Sequence, residues 1–174
     1  MQKTYPRVVN HIAVSVTDLE KAVKWYQEIL GFDLINCDVI ATDDSSLIAS
    51  NFRAIFGPHV KVKVAWLSAG NQVGFEIFEF VEPKAELRPN NFEYWKSGFF
   101  HICITDPNID ELCRKIEESG LTQISQKDEK QCKEILIASE RNTDHKLVYC
   151  KDPFGNIIEI LTRSYEQVTG SNLH

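Results

Sequence analysis

HIAVSVTDLEKAVKWYQEILGF, residues 11–32, changes its period partway through. From His11 to Val16 the apolar residues alternate, with Ile12, Val14 and Val16 on one parity, which is a strand pattern. From Leu19 onward, Leu19, Ala22, Val23, Tyr26 and Leu30 follow helical spacing. Thr17 with Glu20 three residues later reads as a capping box, and Gly31 stands where a helix would end. The same order recurs at 101–121, HICITDPNIDELCRKIEESGL. There Asn108 caps, Glu111 follows three later, and Ile109, Leu112, Cys113 and Ile116 make the stripe before Gly120. A repeat of a supersecondary unit decides the fold more strongly than any single propensity.

Strand-like segments follow each helix: roughly 33–41, 60–68 and 73–81 in the first half, then 122–126, 133–138, 146–150 and 156–162 in the second. The turn signals GNQVG (70–74) and DPFGN (152–156) introduce the last strand of each half. Residues 83–97, PKAELRPNNFEYWKS, read as the connection and carry Phe92, Tyr94 and Trp95. The expected class is α+β, a single domain over 1–174 made of two βαβββ modules at about 7–82 and 98–165, with a tail at 166–174.

With 174 residues, 43% of them apolar, the chain can build one sizeable core or two small modules sharing one. A net charge of −6 with no basic stretch argues against a nucleic-acid surface. No run is long and apolar enough to span a bilayer, and MQKTYPRVVN lacks an apolar signal region. A soluble cytoplasmic protein with no membrane partner is expected. Cys37, Cys103, Cys113, Cys132 and Cys150 are scattered without a CxxC pair and read as free thiols of a reducing compartment.

Strand parity then singles out four residues. Ile12 and Val14 oppose His11; Ile102 and Ile104 oppose His101; Phe75 and Ile77 oppose Glu76; Ile158 and Ile160 oppose Glu159. His11 matches His101 across the repeat, and Glu76 in GFEIFEF matches Glu159 in GNIIEIL. A carboxylate inside such a strand is costly unless paired or bound to a cation. Two imidazoles and two carboxylates suit one divalent metal ion: nickel, cobalt, zinc, manganese or iron. Glu79 has the opposite parity and reads as surface; His59, His145 and His174 have no repeat partners and read as structural or exposed.

The stretches HIAVSVTDLEKAVKWYQEILGF, FEIFEF, FFHICITD and DPFGNIIEIL resemble the vicinal oxygen chelate superfamily, which includes glyoxalase I and methylmalonyl-CoA epimerase. The resemblance runs from about residue 7 to 165. It implies that the paired modules curl into a cupped, incomplete barrel around the metal, and that the family's ligand positions fall on His11, Glu76, His101 and Glu159. The implied chemistry is proton abstraction beside a carbonyl, with the metal stabilising the enediolate formed when the α-proton leaves. A ligand glutamate would serve as base; Glu159 is favoured over Glu76. Phe78, Phe80, Phe99, Cys103 and Trp66 would line the pocket for a small-molecule substrate with vicinal oxygens. The resemblance also implies a homodimer, and a metal site either within one chain or shared between two.

Two positions depart from the glutathione-dependent pattern. Ser15 stands where an arginine is usual, four residues after the first ligand, and Ser97 stands in a second basic place. Serine cannot replace a bidentate contact to a carboxylate. Arg53, Lys61, Lys63 and Arg141 read as solvated surface. A glyoxalase I-like lyase is the leading expectation. The alternatives are a CoA-thioester epimerase, a metal-assisted transfer, a dioxygenase, and a non-catalytic binding or resistance module.

Overall fold

The computed structural model describes residues 7–87, 95–119 and 146–170. The chain divides into two compact units, Met1–Leu87 and Arg88–His174. Expectations at Phe92, Tyr94, Gly120, Cys132, Arg141, His145, His174 and the segments 122–126 and 133–138 lie outside the described residues.

The first unit runs β1 (His11–Ser15), α1 (Leu19–Leu30), β2 (Asp33–Ala41), α2 (Leu47–Phe56), β3 (Lys61–Ser68) and β4 (Gly74–Glu82). Its four described strands form one open mixed sheet in the order β1-β4-β3-β2, with β1 parallel to β4 and the other pairs antiparallel. The second unit runs β5 (Ile102–Thr105), α3 (Ile109–Glu118), β6 (Leu147–Lys151), β7 (Ile157–Leu161) and α4 (Tyr165–Thr169). Its described strands are ordered β5-β7-β6, with β5 parallel to β7 and β6 antiparallel to β7. In both units the strand opening with the histidine segment lies parallel beside the unit's last strand. The class is α+β, as expected.

Parity works as read. Val14, Val16, Ala65, Leu67, Phe75 and Ile77 are buried, and α1 packs on β2, β3 and β4. Leu19, Ala22, Trp25 and Tyr26 are the buried residues of α1. Tyr26 meets Phe75 at 4.6 Å and Phe32 at 5.8 Å between ring centroids, and Phe32 meets Phe75 at 5.3 Å. Such pairs each add about 0.5–1.5 kcal/mol beyond area burial. Val23 and Leu30 are only half-buried, whereas Trp25, outside the expected stripe, is 2% exposed. In the second unit Ile109, Leu112 and Ile116 of α3 are buried, as are Ile158 and Ile160 of β7. Lys146 pairs with Asp110, tying the approach to β6 to the first turn of α3.

Three local expectations are corrected. The cap of α1 is Asp18, not Thr17: Asp18 is extended and its carboxylate accepts from the Lys21 N–H at 2.9 Å. Gly31 does end the helix, in the left-handed region at φ 69°. Glu79 is not free surface. Its Oε2 accepts the Leu19 N–H at 2.8 Å, and its carboxylate pairs with Lys63 Nζ at 3.1 Å, so Lys63 is not simply solvated either. A carboxylate on a helix's first turn satisfies an orphan donor and complements the helix dipole, worth about 0.5–2 kcal/mol. Parity put Glu79 on the helix side; it could not tell that the N-terminus of α1 ends there. The third correction is α2, capped by Ser46 Oγ on the Ala49 N–H at 3.1 Å, where no helix was expected.

The Asn108 side chain makes no bond to the α3 backbone; it donates to Glu111 at 2.6 Å instead. The DPFGN turn is built by Asp152, 2% exposed, whose carboxylate accepts from the Phe154 and Asn156 N–H groups and from the Asn156 amide. Cys37, Cys103 and Cys113 are free thiols. Among the described residues no helix is long and apolar enough to cross a membrane.

Candidate metal-binding pairs

The parallel pairing of β1 with β4 sets His11 opposite Gly74 and Ala13 opposite Glu76. The parallel pairing of β5 with β7 sets Cys103 opposite Glu159. In both units the glutamate is therefore opposite the residue two positions after the histidine. Side chains two apart in a strand share a face, so each register delivers the imidazole and the carboxylate to the same side of the sheet. His11 Nε2 stands 3.7 Å from Glu76 Oε2, and His101 Nε2 stands 3.0 Å from Glu159 Oε2. Among the described residues no group of three or more His, Cys, Asp or Glu side chains is gathered at one point. The structure brings the four predicted residues together as two pairs.

Gly74 is where this geometry is tightest. A Cβ there would stand 2.9 Å from the Cβ of His11 and 3.5 Å from the carbonyl oxygen of Asn10, both fixed by the strand rather than held on a flexible tip. Gly74→Ala is therefore expected to force β1 off β4 and His11 away from Glu76. A cost of about 1–3 kcal/mol is typical of overpacking. Urea unfolding of the metal-free protein measures it; an unchanged midpoint would show that β1 yields without strain.

The chemistry of each pair fits a cation. His11 Nδ1 lies 2.8 Å from Asn10 Oδ1, an acceptor, which suits Nδ1 as a donor nitrogen and leaves Nε2 on the Glu76 side. A lone pair facing a carboxylate calls for a proton or a metal ion between them. An oxygen acceptor on the other ring nitrogen is also how metal-ligating histidines are usually oriented. For donors bound at about 2.1 Å, two neighbouring positions on one ion lie about 3 Å apart, which matches the His101–Glu159 distance. His101 Nδ1 is buried and has no hydrogen-bond partner among the described residues. The second pair is also the more enclosed, with side chains 27% and 13% exposed against 49% and 22% for the first.

Sequence reasoning did not find the donors that hold the carboxylates. Trp66, named only as a pocket wall, stands opposite Glu76 in the β3–β4 register and donates Nε1–H to its Oε1 at 3.0 Å. Tyr149, not foreseen at all, stands opposite Glu159 in the β6–β7 register and donates its hydroxyl to Oε1 at 2.9 Å. The available signal was the shared spacing: each aromatic precedes its glutamate by ten residues. Burial, and then the hydrogen bond to Glu159, push the Tyr149 hydroxyl up to about 12. The same causes push the Cys103 thiol up to about 12. With no ion on Glu159, Cys103 stays a neutral thiol near neutral pH.

The remaining predicted wall residues separate. Phe78 and Phe80 share the Glu76 face and stack at 6.2 Å, but α2 comes down on them: Phe52 meets Phe78 at 6.0 Å and Phe56 meets Phe80 at 5.2 Å. They pack against a core of Ile40, Ala49, Val62 and Val64. Phe99 is 77% exposed, outside any strand. Ser15 lies opposite Phe78, on the same face as His11. His59 is exposed and bonded to Asp43 at 2.9 Å.

The chain is 31% identical over 116 residues to a lactoylglutathione lyase of Schizosaccharomyces pombe. That match takes in 66% of this chain and only 37% of the yeast protein. It is 25% identical over 166 residues to a lactoylglutathione lyase of Pseudomonas putida, covering 88% of this chain and 84% of that protein. A glyoxalase family protein from Bacillus cereus superposes with a TM-score of 0.68 at 16% identity, covering 92% of this chain and 97% of that one. A glutamate-to-glutamine mutant of the fosfomycin resistance protein FosX from Listeria monocytogenes, solved with manganese(II) and a dihydroxypropylphosphonic acid, superposes with a TM-score of 0.57 at 17% identity, over 95% and 99%. At such identities the superpositions show a shared fold. Residues 8–160 match the family description Glyoxalase/Bleomycin resistance protein/Dioxygenase superfamily, and the chain belongs to that superfamily.

Proposed function

We propose that this protein is a divalent-metal-dependent lyase or isomerase of the glyoxalase I type, which moves a proton beside a carbonyl of a small substrate with neighbouring oxygens. The observation that carries the reading is the repeated pair: in each unit an imidazole Nε2 faces a glutamate Oε2, at 3.7 Å and at 3.0 Å, from the same strand register. His11, Glu76, His101 and Glu159 are the donors of the ion. A bound divalent ion supplies Lewis-acid polarisation of the substrate carbonyl.

The chain's own residues do the rest. Glu159, once released from the ion, would take the α-proton and return it to the neighbouring carbon, so the redistribution needs no outside oxidant. It suits that role better than Glu76 because its side chain is the more enclosed and so better shielded from competing water. Asn10 orients His11. The names of the two lyase relatives support the reaction class, and the manganese-bound FosX supports a divalent ion on this fold.

Ser15 bears on the substrate. It occupies the His11 face of β1 and offers one hydroxyl where a bidentate cation would grip a carboxylate. This favours a substrate recognised without that grip and keeps the CoA-thioester epimerase, which shares the proton-transfer step, as the second reading. The test is exchange in deuterated buffer, followed by NMR. The hemithioacetal that yields lactoylglutathione and a 2-methyl-branched CoA thioester would each be incubated with metal-loaded and chelator-stripped protein. Deuterium entering the α-carbon only with metal is expected. Saturable binding of either compound with no exchange would leave a binding module instead.

A further inference from the structure

The two glutamates are held alike by residues that are not alike. Trp66 and Tyr149 sit in unrelated segments, KVKVAWLS and LVYCK, yet each stands directly opposite its glutamate on the antiparallel neighbour strand. Each sends one N–H or O–H to Oε1, at 3.0 and 2.9 Å. In each case the other oxygen, Oε2, is the one facing the histidine. The repeat therefore preserves a donor at a place, not a residue type.

A glutamate side chain left to itself rotates and can present either oxygen or both. A donor on Oε1 fixes the plane of the carboxylate and occupies one of that oxygen's two lone pairs, so a cation meets a pre-aimed Oε2 first. Ordering the ligand in advance removes an entropic cost that would otherwise fall on metal binding. From this geometry we infer that Trp66 and Tyr149 are positioning residues that hold Glu76 and Glu159 as one-oxygen donors to the divalent ion. The inference rests on the metal reading above and deepens it.

The experiment is titration of cobalt(II) into the untagged full chain, in competition with a chromophoric chelator. Wild type, Tyr149→Phe and Trp66→Phe would be compared for dissociation constant and visible spectrum, with melting of the metal-free proteins in parallel. Each variant is expected to bind cobalt about 10- to 100-fold more weakly, as loss of a supporting partner typically does. The visible band should change as the freed carboxylate binds through both oxygens. The metal-free Tyr149→Phe protein should melt close to wild type, which a purely structural role of the hydroxyl would not predict. Trp66 also packs on the Ile40–Ala49–Val62–Val64 core, so if Trp66→Phe fails to fold, Tyr149→Phe decides alone. Affinities within about twofold of wild type and an unchanged spectrum would overturn the inference, because supporting partners act more strongly than that. Those results would leave the metal reading standing; a wild-type chain that takes up no cobalt would overturn both.

Discussion

The Glu76→Ala, Glu159→Ala double variant is expected to lose the divalent ion proposed for the wild-type chain. Each glutamate is the anionic half of its pair, and each imidazole alone is a weak neutral donor. Four protein donors at about 2.1 Å would suit one six-coordinate ion with places left for substrate, so wild type should hold about one ion per chain. With both carboxylates gone, the site keeps its two imidazoles and loses all of its charge. Elemental analysis of untagged protein reads the result directly. An unchanged metal content in the double variant would place the ligands elsewhere. Wild type without metal, and with none taken up on titration, would make the chain a binding module on the same fold.

Glu159→Gln should separate holding the metal from doing chemistry. The amide keeps the shape of the side chain, an oxygen for the ion and an acceptor for Tyr149, but it cannot take a proton. A positioned general base contributes about 10²- to 10⁴-fold, so α-proton exchange should fall by that factor while much of the metal remains. The matching Glu76→Gln variant should lose less, since Glu76 is the more exposed of the two. Parallel exchange and metal assays on both proteins would check this. Full exchange activity in Glu159→Gln would remove Glu159 from the role of base.

The repeat and its parity were legible in residues 11–32 and 101–121 because both depend on local periodicity. Alternation at two residues and helical spacing are written wherever one face of an element is buried. That is why β2, β3, β4, β6 and β7 fall within a residue or so of their expected bounds, and why His11, Glu76, His101 and Glu159 could be named from their opposition to apolar neighbours. Glu79 shows the limit of parity. Its parity opposite to Glu76 is right, but the surface reading is not, because its partners lie sixty residues away at Leu19 and sixteen away at Lys63.

The helix at Leu47–Phe56 was missed although Ser46 is an ordinary cap. Its apolar residues face a sheet side that had been reserved for a pocket, so Phe78 and Phe80 are partly core. The sequence by itself determined which residues face which way, because side-chain direction follows from the backbone's own period. Only the tertiary structure decided which of them meet. Cross-strand register is a nonlocal quantity, and it alone brings Trp66 to Glu76, Tyr149 to Glu159 and Gly74 beneath His11.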